Sequence, residues 1–376
     1  MSKKGSKNIK SNILALFFGI LFSIIILEIF LQIYNPFPFR IQGDEIQLQA
    51  NHKTVFANEN DTVIVSRNSL GFRGKELPVN TEGLQKIITI GGSTTECIAL
   101  TDGESWPELI HTAFEDTDKK IWVNNAGFAG HSSFGHAFLL RDYVLKLKPD
   151  YVLFLVGINE IGRADIHDFD KYFLENEKSY KNILAKSELY NTALNISRAL
   201  RAKQFKLNDT SYDLSTMESA ENTEEMTEQL IQHHQDKYIP GFKDRLTTLV
   251  DMCLENKVKP ILVTQPMLYG DLMDPTTGID LSNRKIFEAG KDNERLSTFF
   301  KDHGEVNISS LSYWKLLDRY NDVSRELSVT KSIPMIDLAK RMPKDSKYYL
   351  DAIHFTTEGS QQVADILEAD LNKILN

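Results

Sequence analysis

The sequence predicts an α/β protein in which helices cover both faces of a central parallel sheet, preceded by one transmembrane helix. Short runs of consecutive apolar residues alternate with amphipathic segments along most of the chain, a pattern typical of strands that are buried on both faces. An almost entirely apolar run lies near the N-terminus. With 376 residues, of which 41% are hydrophobic and 25% charged, the chain is long enough to bury a large core.

The N-terminal apolar run, Ile13 to Ile33, predicts a membrane anchor. As a helix, about 21 residues extend roughly 31 Å, enough to cross the hydrocarbon core of a bilayer. A cleaved signal peptide and a buried core helix are the alternatives, but the run has no small-x-small cleavage site and its first part carries no charge. We therefore predict a retained signal anchor over residues 12–33.

The charges around the anchor predict its orientation. Four lysines precede the apolar run, and acidic residues follow it: Lys3, Lys4, Lys7, Lys10, Asp44 and Glu45. The positive-inside rule then makes residues 1–11 a cytoplasmic tail and puts the rest of the chain outside the cytoplasm, in the periplasm or at the cell surface.

Residues 34–85 are predicted to form a stalk and an N-terminal extension. The stalk begins with proline and aromatic residues, "YNPFPFR". Further on, "NSLGFRG", Asn68 to Gly74, predicts a tight turn. In the alternative interpretation of this segment, Arg73 faces an anionic group of a substrate.

Residues 86–376 are predicted to form one domain, because apolar runs and amphipathic segments alternate regularly there. The predicted strands are 86–90, 121–125, 151–156, 260–266 and 333–339. The predicted helices are 104–115, 134–147, 242–256 and 311–328. At about 165–240 an acidic insertion, mobile or helical, interrupts the pattern, and we expect its His233 and His234 to be solvent-exposed.

Composition excludes several classes of function. A net charge of −9 argues against a nucleic-acid-binding surface. The only two cysteines, Cys97 and Cys253, have no zinc-site spacing and are interpreted as buried thiols. We predict no metal and no cofactor.

Polar residues and glycines collect where the predicted strands end. "GGSTT" with Ser93 follows the first strand, "NAGFAGHSS" with Gly130 the second and "GINE" with Asn159 the third, while "DAIH" with Asp351 and His354 comes after the last. In a parallel sheet these ends lie on one edge, where ligands bind.

The side chains at this edge have the chemistry for acyl transfer through a serine. Ser93 is the candidate nucleophile, His354 the general base, and Asp351 the group that orients the imidazole. The backbone N–H groups of Ser93 and Gly130 and the side-chain amide of Asn159 are the candidate oxyanion hole. Each motif alone has a plainer interpretation: a strand-end turn or phosphate loop, a helix cap, or a surface histidine. His131 in the second motif and His136 shortly after it are given no role.

In their order, these four motifs resemble the blocks of the SGNH/GDSL hydrolase superfamily, over roughly residues 86–376. The resemblance implies a flavodoxin-like three-layer αβα sandwich and the hydrolysis of an ester or thioester without a metal. Two positions depart from the family pattern, because Gly92 and Glu160 each stand where an aspartate is usual. With these two departures, the chain resembles membrane-tethered bacterial members of the superfamily more than its familiar lipases. Many of those tethered members act on acylated glycans of the cell envelope.

The predicted function is therefore that of an extracytoplasmic serine esterase. It would cleave an acyl ester, with O-acetyl as the candidate group, from a carbohydrate or a lipid through an acyl-Ser93 intermediate. An O-acyltransferase that uses the same acyl-enzyme and a non-catalytic envelope binding protein with the same fold are the alternatives. The expected partners are the acylated substrate and the membrane, but no nucleic acid, and the oligomeric state is left open.

Overall fold

The computed structural model of the chain divides it into two units. Its described residues are 4–34, 39–42, 45–48, 50–57, 62–164, 187–190, 192–193, 196, 214–287 and 307–375. The first unit comprises Met1–Gln49 and Tyr172–Asn208, and the second comprises Ala50–Lys171 and Asp209–Asn376. The predicted extension of residues 34–85 is thus shared between the two units.

The first unit contains the predicted anchor helix. Helix α1 (Lys4–Ile33) includes the stretch Ser11–Ile33, which is long and apolar enough to cross a membrane. Strands β1 (Phe39–Gln42) and β2 (Glu45–Leu48) follow it as an antiparallel pair.

Glu28, near the end of α1, has hydrogen-bond partners within the same unit. Its carboxylate accepts hydrogen bonds from the hydroxyl of Ser187 at 2.9 Å and from the backbone N–H groups of Glu188 and Leu189 at 2.6 and 3.1 Å. Part of the predicted insertion therefore contacts the anchor helix.

The second unit begins with an antiparallel pair and continues into a five-stranded parallel sheet. The pair consists of β3 (His52–Ala57) and β4 (Thr62–Arg67). The strands of the sheet are β5 (Gln85–Gly91), β6 (Ile121–Gly127), β7 (Tyr151–Val156), β8 (Lys259–Thr264) and, after a short antiparallel pair of β9 (Lys285–Phe287) and β10 (Ile308–Ser309), β11 (Met335–Ile336). Every residue of β6 and β7 is buried. The continuous apolar run of β7 predicts this burial, whereas β6 also buries the polar side chains of Asn124 and Asn125.

The strand order confirms the flavodoxin-like fold. In space the order is β11-β8-β7-β5-β6, and every neighbouring pair is parallel. Numbered along the sheet strands alone this is 2-1-3-4-5, the flavodoxin order. Successive strands are added to one side of β5 and then, from β7 onwards, to its other side. The carboxyl ends of β5 and β7 therefore border the switch point where such folds bind ligands.

Helices cover both faces of the sheet. They are α2 (Ser93–Glu96), α3 (Trp106–Glu115), α4 (Ser133–Leu139), α5 (Glu224–Lys237), α6 (Ile239–Glu255), α7 (Ser310–Lys331), α8 (Leu338–Arg341) and α9 (Thr357–Ile374). Helices α3 and α9 pack together in one layer, while α4, α6 and α7 form the other and α5 packs on α6 and α7. The three-layer prediction is correct.

Two predicted elements differ from the structure. The helix predicted over 134–147 is α-helical only to Leu139 and continues as a π turn, Leu140–Val144, and a 3₁₀ turn, Leu145–Leu147. Leu139, Leu140 and Val144 are all fully buried, an arrangement that the widened turn accommodates. The strand predicted over 333–339 pairs with β8 only at Met335 and Ile336, and α8 begins at Leu338.

Candidate active site

Ser93 is the first residue of α2 and follows β5 after one intervening residue, Gly92. Both glycines of this turn are required by close contacts. A Cβ on Gly91 would lie 2.1 Å from Thr95 Oγ1, and one on Gly92 would lie 2.3 Å from Asn159 Nδ2. Because α2 has only four residues, its helix dipole is small, and charge stabilisation at Ser93 depends on individual N–H groups rather than on a long helix.

A hydrogen-bonded chain joins Ser93 to His354 and Asp351. Ser93 Oγ lies 2.7 Å from His354 Nε2, and His354 Nδ1 lies 2.6 Å from Asp351 Oδ2. The other carboxylate oxygen of Asp351 accepts the backbone N–H groups of Ile353 and His354, both at 2.8 Å. Ser93 and His354 are 261 residues apart in the sequence, and the fold brings them into direct contact.

The hydrogen bonds determine which nitrogen of His354 carries a proton. Burial raises the pKa of Asp351, but the hydrogen bonds and the charge of His354 outweigh it and hold that pKa below its usual range. An ionised carboxylate can only accept hydrogen bonds, so Nδ1 donates to Asp351. Neutral His354 then has Nε2 as its acceptor, facing the hydroxyl of Ser93.

Asp351 and His354 lie on a loop rather than directly after a strand, which corrects one expectation. The last strand ends at Ile336, and the pair lies between a 3₁₀ turn, Ser346–Tyr348, and α9. The loop is closed by a hydrogen bond from Leu350 N–H to the carbonyl of His354 at 2.8 Å. His354 is part-exposed, with 28% of its side chain accessible, so the reacting groups lie at an open edge.

Asn159 and Gly130 lie on the two neighbouring loops. Asn159 Nδ2 donates to the carbonyl of His131 at 3.0 Å and lies against Gly92, the residue before the serine. Gly130 has a φ of +78°, a left-handed conformation that favours glycine. Across the described part of the chain, the backbone N–H groups of Ser93 and Gly130 donate to no protein acceptor.

Glu160, the second departure from the motif pattern, anchors the adjacent helix. Its carboxylate accepts the backbone N–H of Ser133 at 2.5 Å and the hydroxyl of Ser133 at 2.8 Å, and it lies 3.2 Å from Arg245 Nη2. Burial raises the pKa of Glu160, although Arg245 and Ser133 oppose the shift. The longer side chain thus binds the start of α4.

Sequence reasoning missed a buried ion pair beside the site. Glu96, at the end of α2, pairs with Arg67, and both are almost fully buried. The other oxygen of Glu96 accepts the backbone N–H of Ala129 at 2.6 Å, and the guanidinium of Arg67 lies 4.5 Å from the ring centre of Phe128. This cluster fixes the loop that carries Gly130, and only the three-dimensional contacts reveal it.

The structure assigns Arg73 to the protein interior. Arg73 is 1% exposed and donates to four backbone carbonyls at the end of α2 and in the turn after it: Glu96, Cys97, Leu100 and Thr101. It also lies 3.0 Å from Glu108 Oε2. The turn interpretation of this segment is therefore correct, and Arg73 does not face a substrate.

Several predicted polar residues are buried. His131 and His136 are each 1% exposed, and burial, followed by the charge of His131, lowers the pKa of His136 well below its usual value. The expectation that the histidine pair of the insertion is exposed is wrong for His234, which is fully buried. Cys97 and Cys253 are buried free thiols, as predicted.

A cavity of about 410 Å³ lies near the site but does not include it. Its lining residues include Gln265, Trp314, Asp318 and Lys344. Gln265 Oε1 accepts the hydroxyl of Thr94, the neighbour of Ser93, at 3.0 Å. None of the five candidate site residues lines this cavity. In the part of the chain that the structure describes, no cluster of His, Cys, Asp and Glu could hold a metal ion.

The chain is similar to GDSL lipases and acetyl xylan esterases of known structure. Neither protein-family models nor curated proteins match it. The acetyl xylan esterase Axe2 from Geobacillus stearothermophilus is 14% identical, covers 76% of this chain and 94% of its own length, and superposes with a TM-score of 0.40. A GDSL-like lipase from Bacteroides thetaiotaomicron is 12% identical, covers 80% of this chain and 93% of its own, and superposes with a TM-score of 0.38.

Proposed function

We propose that this protein is a serine esterase of the SGNH type that hydrolyses acyl esters through an acyl-Ser93 intermediate. The observation that carries the proposal is the continuous hydrogen-bonded chain from Ser93 Oγ through His354 to Asp351, with contacts of 2.7 and 2.6 Å. A serine, a histidine and a carboxylate in this order form a general-base relay for nucleophilic attack. The short Ser93–His354 distance gives no support to the non-catalytic alternative.

In the first step, Ser93 Oγ attacks the acyl carbon of the ester. His354 Nε2 takes the hydroxyl proton as the bond to carbon forms, and the carboxylate of Asp351 stabilises the resulting imidazolium. The carbonyl oxygen becomes an oxyanion in the tetrahedral intermediate. The N–H groups of Ser93 and Gly130, together with the amide of Asn159, are available to bind it.

In the second step the intermediate collapses and the alcohol leaves. The bond between the acyl carbon and the alcohol oxygen breaks, and His354 returns the proton to that oxygen. The acyl group stays on Ser93. Water then attacks the acyl-enzyme, again losing its proton to His354, and a second collapse releases the acid and restores the Ser93 hydroxyl.

For the substrate we propose an acyl ester on a carbohydrate or a lipid, with acetyl as the acyl group. We further propose that the catalytic unit lies outside the cytoplasm, tethered by α1. The anchor-like composition of Ser11–Ile33 and the lysines that precede it support this placement.

The test is covalent labelling of the full-length protein with a fluorophosphonate, together with hydrolysis of p-nitrophenyl acetate. We expect wild type to label and to cleave, and Ser93→Ala and His354→Ala to lose both, with rates lower by at least about 10³-fold. Ser69→Ala, at an exposed serine, is the matched control and should behave as wild type. A wild type that neither labels nor cleaves would refute the proposal.

Product analysis with an acetylated xylo-oligosaccharide and with a short-chain lipid ester separates hydrolysis from transfer. Free acetate as the product indicates a hydrolase. Transfer of the acetyl group to an added sugar hydroxyl would indicate the acyltransferase, which shares the acyl-Ser93 step.

A further inference from the structure

Arg163 is a buried arginine just after the turn that carries Asn159. It is 1% exposed. Its own backbone is held on both sides, since its N–H donates to the carbonyl of Glu160 at 3.0 Å and its carbonyl accepts Arg245 Nη2 at 3.4 Å. The preceding N–H, of Gly162, donates to Tyr320 Oη at 3.1 Å. These hydrogen bonds hold the backbone of Arg163, and therefore the Cα atom from which its side chain extends, in a defined position.

The guanidinium of Arg163 contacts both loops that carry the proposed oxyanion donors. Its Nε donates to the carbonyl of Asn159 at 3.1 Å, and its Nη2 lies 3.5 Å from the carbonyl of Gly130. These carbonyls belong to the loops after β7 and β6. A planar guanidinium presents its donors in a rigid fork, so two simultaneous contacts restrict the separation of the two loops.

Hydrogen bonds hold the backbone at three successive residues around Gly130. The N–H of Ala129 is bound by Glu96 at 2.6 Å, the carbonyl of Gly130 by Arg163, and the carbonyl of His131 by Asn159 at 3.0 Å. The N–H of Gly130 lies between these fixed points and donates to no acceptor among the residues that the structure describes. Such an arrangement orients a donor before any ligand arrives, which oxyanion stabilisation requires.

We infer that Arg163 is a positioning residue that sets the distance between the Gly130 N–H and the Asn159 amide in the oxyanion hole. The inference rests on the proposed function and adds to it a residue outside the four motif blocks. Its contacts with the carbonyls of Asn159 and Gly130 act on the two loops that carry the proposed oxyanion donors. We therefore expect Arg163 to affect the stabilisation of the tetrahedral intermediate rather than ground-state binding.

The test compares Arg163→Met and Arg163→Lys with wild type in three measurements: kcat, KM, and the inhibition constant of a trifluoromethyl ketone, which forms a tetrahedral oxyanion on the serine. For Arg163→Met we expect kcat to fall about 10-fold to 100-fold, since loss of a whole oxyanion donor costs about 10²–10³. KM should change by less than about 2-fold. The inhibition constant of the trifluoromethyl ketone should rise by the same factor by which kcat/KM falls. Arg163→Lys retains a donor but not the guanidinium fork, so its kcat and inhibition constant should lie between those of wild type and Arg163→Met.

Arg325→Met is the control for a purely structural arginine. Arg325 is part-buried and pairs with Asp318, Asp322 and Asp337, away from both loops. Its removal should lower Tm while kcat and inhibitor affinity of the folded protein stay near wild type. This pattern separates loss of stability from loss of positioning.

The inference is overturned if Arg163→Met retains wild-type kcat and inhibitor affinity, or if it only lowers Tm as Arg325→Met does. If Arg163→Met does not fold, unchanged kcat and inhibitor affinity in Arg163→Lys overturn it equally. A wild type without esterase activity or labelling would refute the proposed function and this inference together. An active wild type matched by an equally active Arg163→Met would refute the inference alone.

Discussion

Gly92 has no room for a side chain, because a Cβ there would lie 2.3 Å from the amide nitrogen of Asn159. An aspartate at this position would displace that amide. The departure is therefore linked to the tight packing of Asn159 against the turn. At Glu160, the other departure, the carboxylate reaches Ser133 and Arg245 instead of the reacting groups.

We predict that Gly92→Ala lowers kcat about 10-fold to 100-fold, because the added methyl group displaces the Asn159 amide from the oxyanion hole. In an Asn159→Ala background the same change should alter kcat by less than about 3-fold, since the clashing amide is gone. Steady-state kinetics of the four proteins in this double-mutant cycle provide the measurement. Equal falls in both backgrounds would show that Gly92 acts independently of Asn159.

Among the elements, the ion pair of Arg67 and Glu96 connects β4, α2 and the loop after β6. We predict that Arg67→Met lowers the free energy of unfolding by about 3–5 kcal/mol, because it leaves a buried carboxylate without its counter-ion. The double variant Arg67→Met/Glu96→Gln should be less destabilised, since it contains no unpaired buried charge. Urea denaturation of the detergent-solubilised full-length protein measures both.

Lys75→Met is the matched control for the ion-pair prediction. Lys75 pairs with Glu115 at the surface, where the two side chains are 59% and 41% exposed. Its loss should change the unfolding free energy by less than about 1 kcal/mol. If the double variant proves less stable than Arg67→Met, the desolvation argument is wrong.

Helices α5 and α7 are joined by a buried histidine, His234, whose Nδ1 lies 2.9 Å from Tyr320 Oη. Burial, followed by the charges of His233 and Lys237, lowers the pKa of His234 from 6.5 to about 3. The unfolded chain takes up this proton below about pH 6.5 while the folded protein does not. The contribution of His234 to stability is thus complete above pH 6.5 and is lost as the pH falls towards 3.

We predict that the difference in unfolding free energy between wild type and His234→Gln falls by about 1.4 kcal/mol per pH unit below pH 6.5. Urea denaturation at a series of pH values gives this difference directly, and titrations common to both proteins cancel. A pH-independent difference for His234→Gln would contradict the burial argument.

For the whole molecule, membrane orientation is the property to test. We predict that the N-terminal tail faces the cytoplasm, because Lys3, Lys4, Lys7 and Lys10 precede the apolar stretch. In a bacterial host, alkaline phosphatase fused after residue 375 should be active, and a cytoplasm-dependent fluorescent reporter fused there should be dark. Replacing the four lysines with glutamate is the control and should weaken or reverse this pattern. An active cytoplasmic reporter on the wild-type fusion would refute the orientation.

Much of the fold follows from local patterns along the chain. The β5, β6, β7 and β8 strands each contain a short apolar run, and burial of these strands on both faces requires a covered parallel sheet. The patterns were less informative at the edge of the sheet, where β11 pairs for only two residues. They also missed the burial of His234, because the acidic composition around it reflects only the solvent-facing side of α5.

The sequence by itself determined the residue types at the candidate site and the strand ends to which Ser93, Gly130 and Asn159 belong, since apolar periodicity and glycine positions are local properties. Only the tertiary structure decided that His354 Nε2 lies 2.7 Å from Ser93 Oγ, that Arg73 is internal, and that Glu96 and Arg163 hold the Gly130 loop. These contacts join residues far apart in the chain. Their geometry depends on how the strands, loops and helices pack together, which no local pattern encodes.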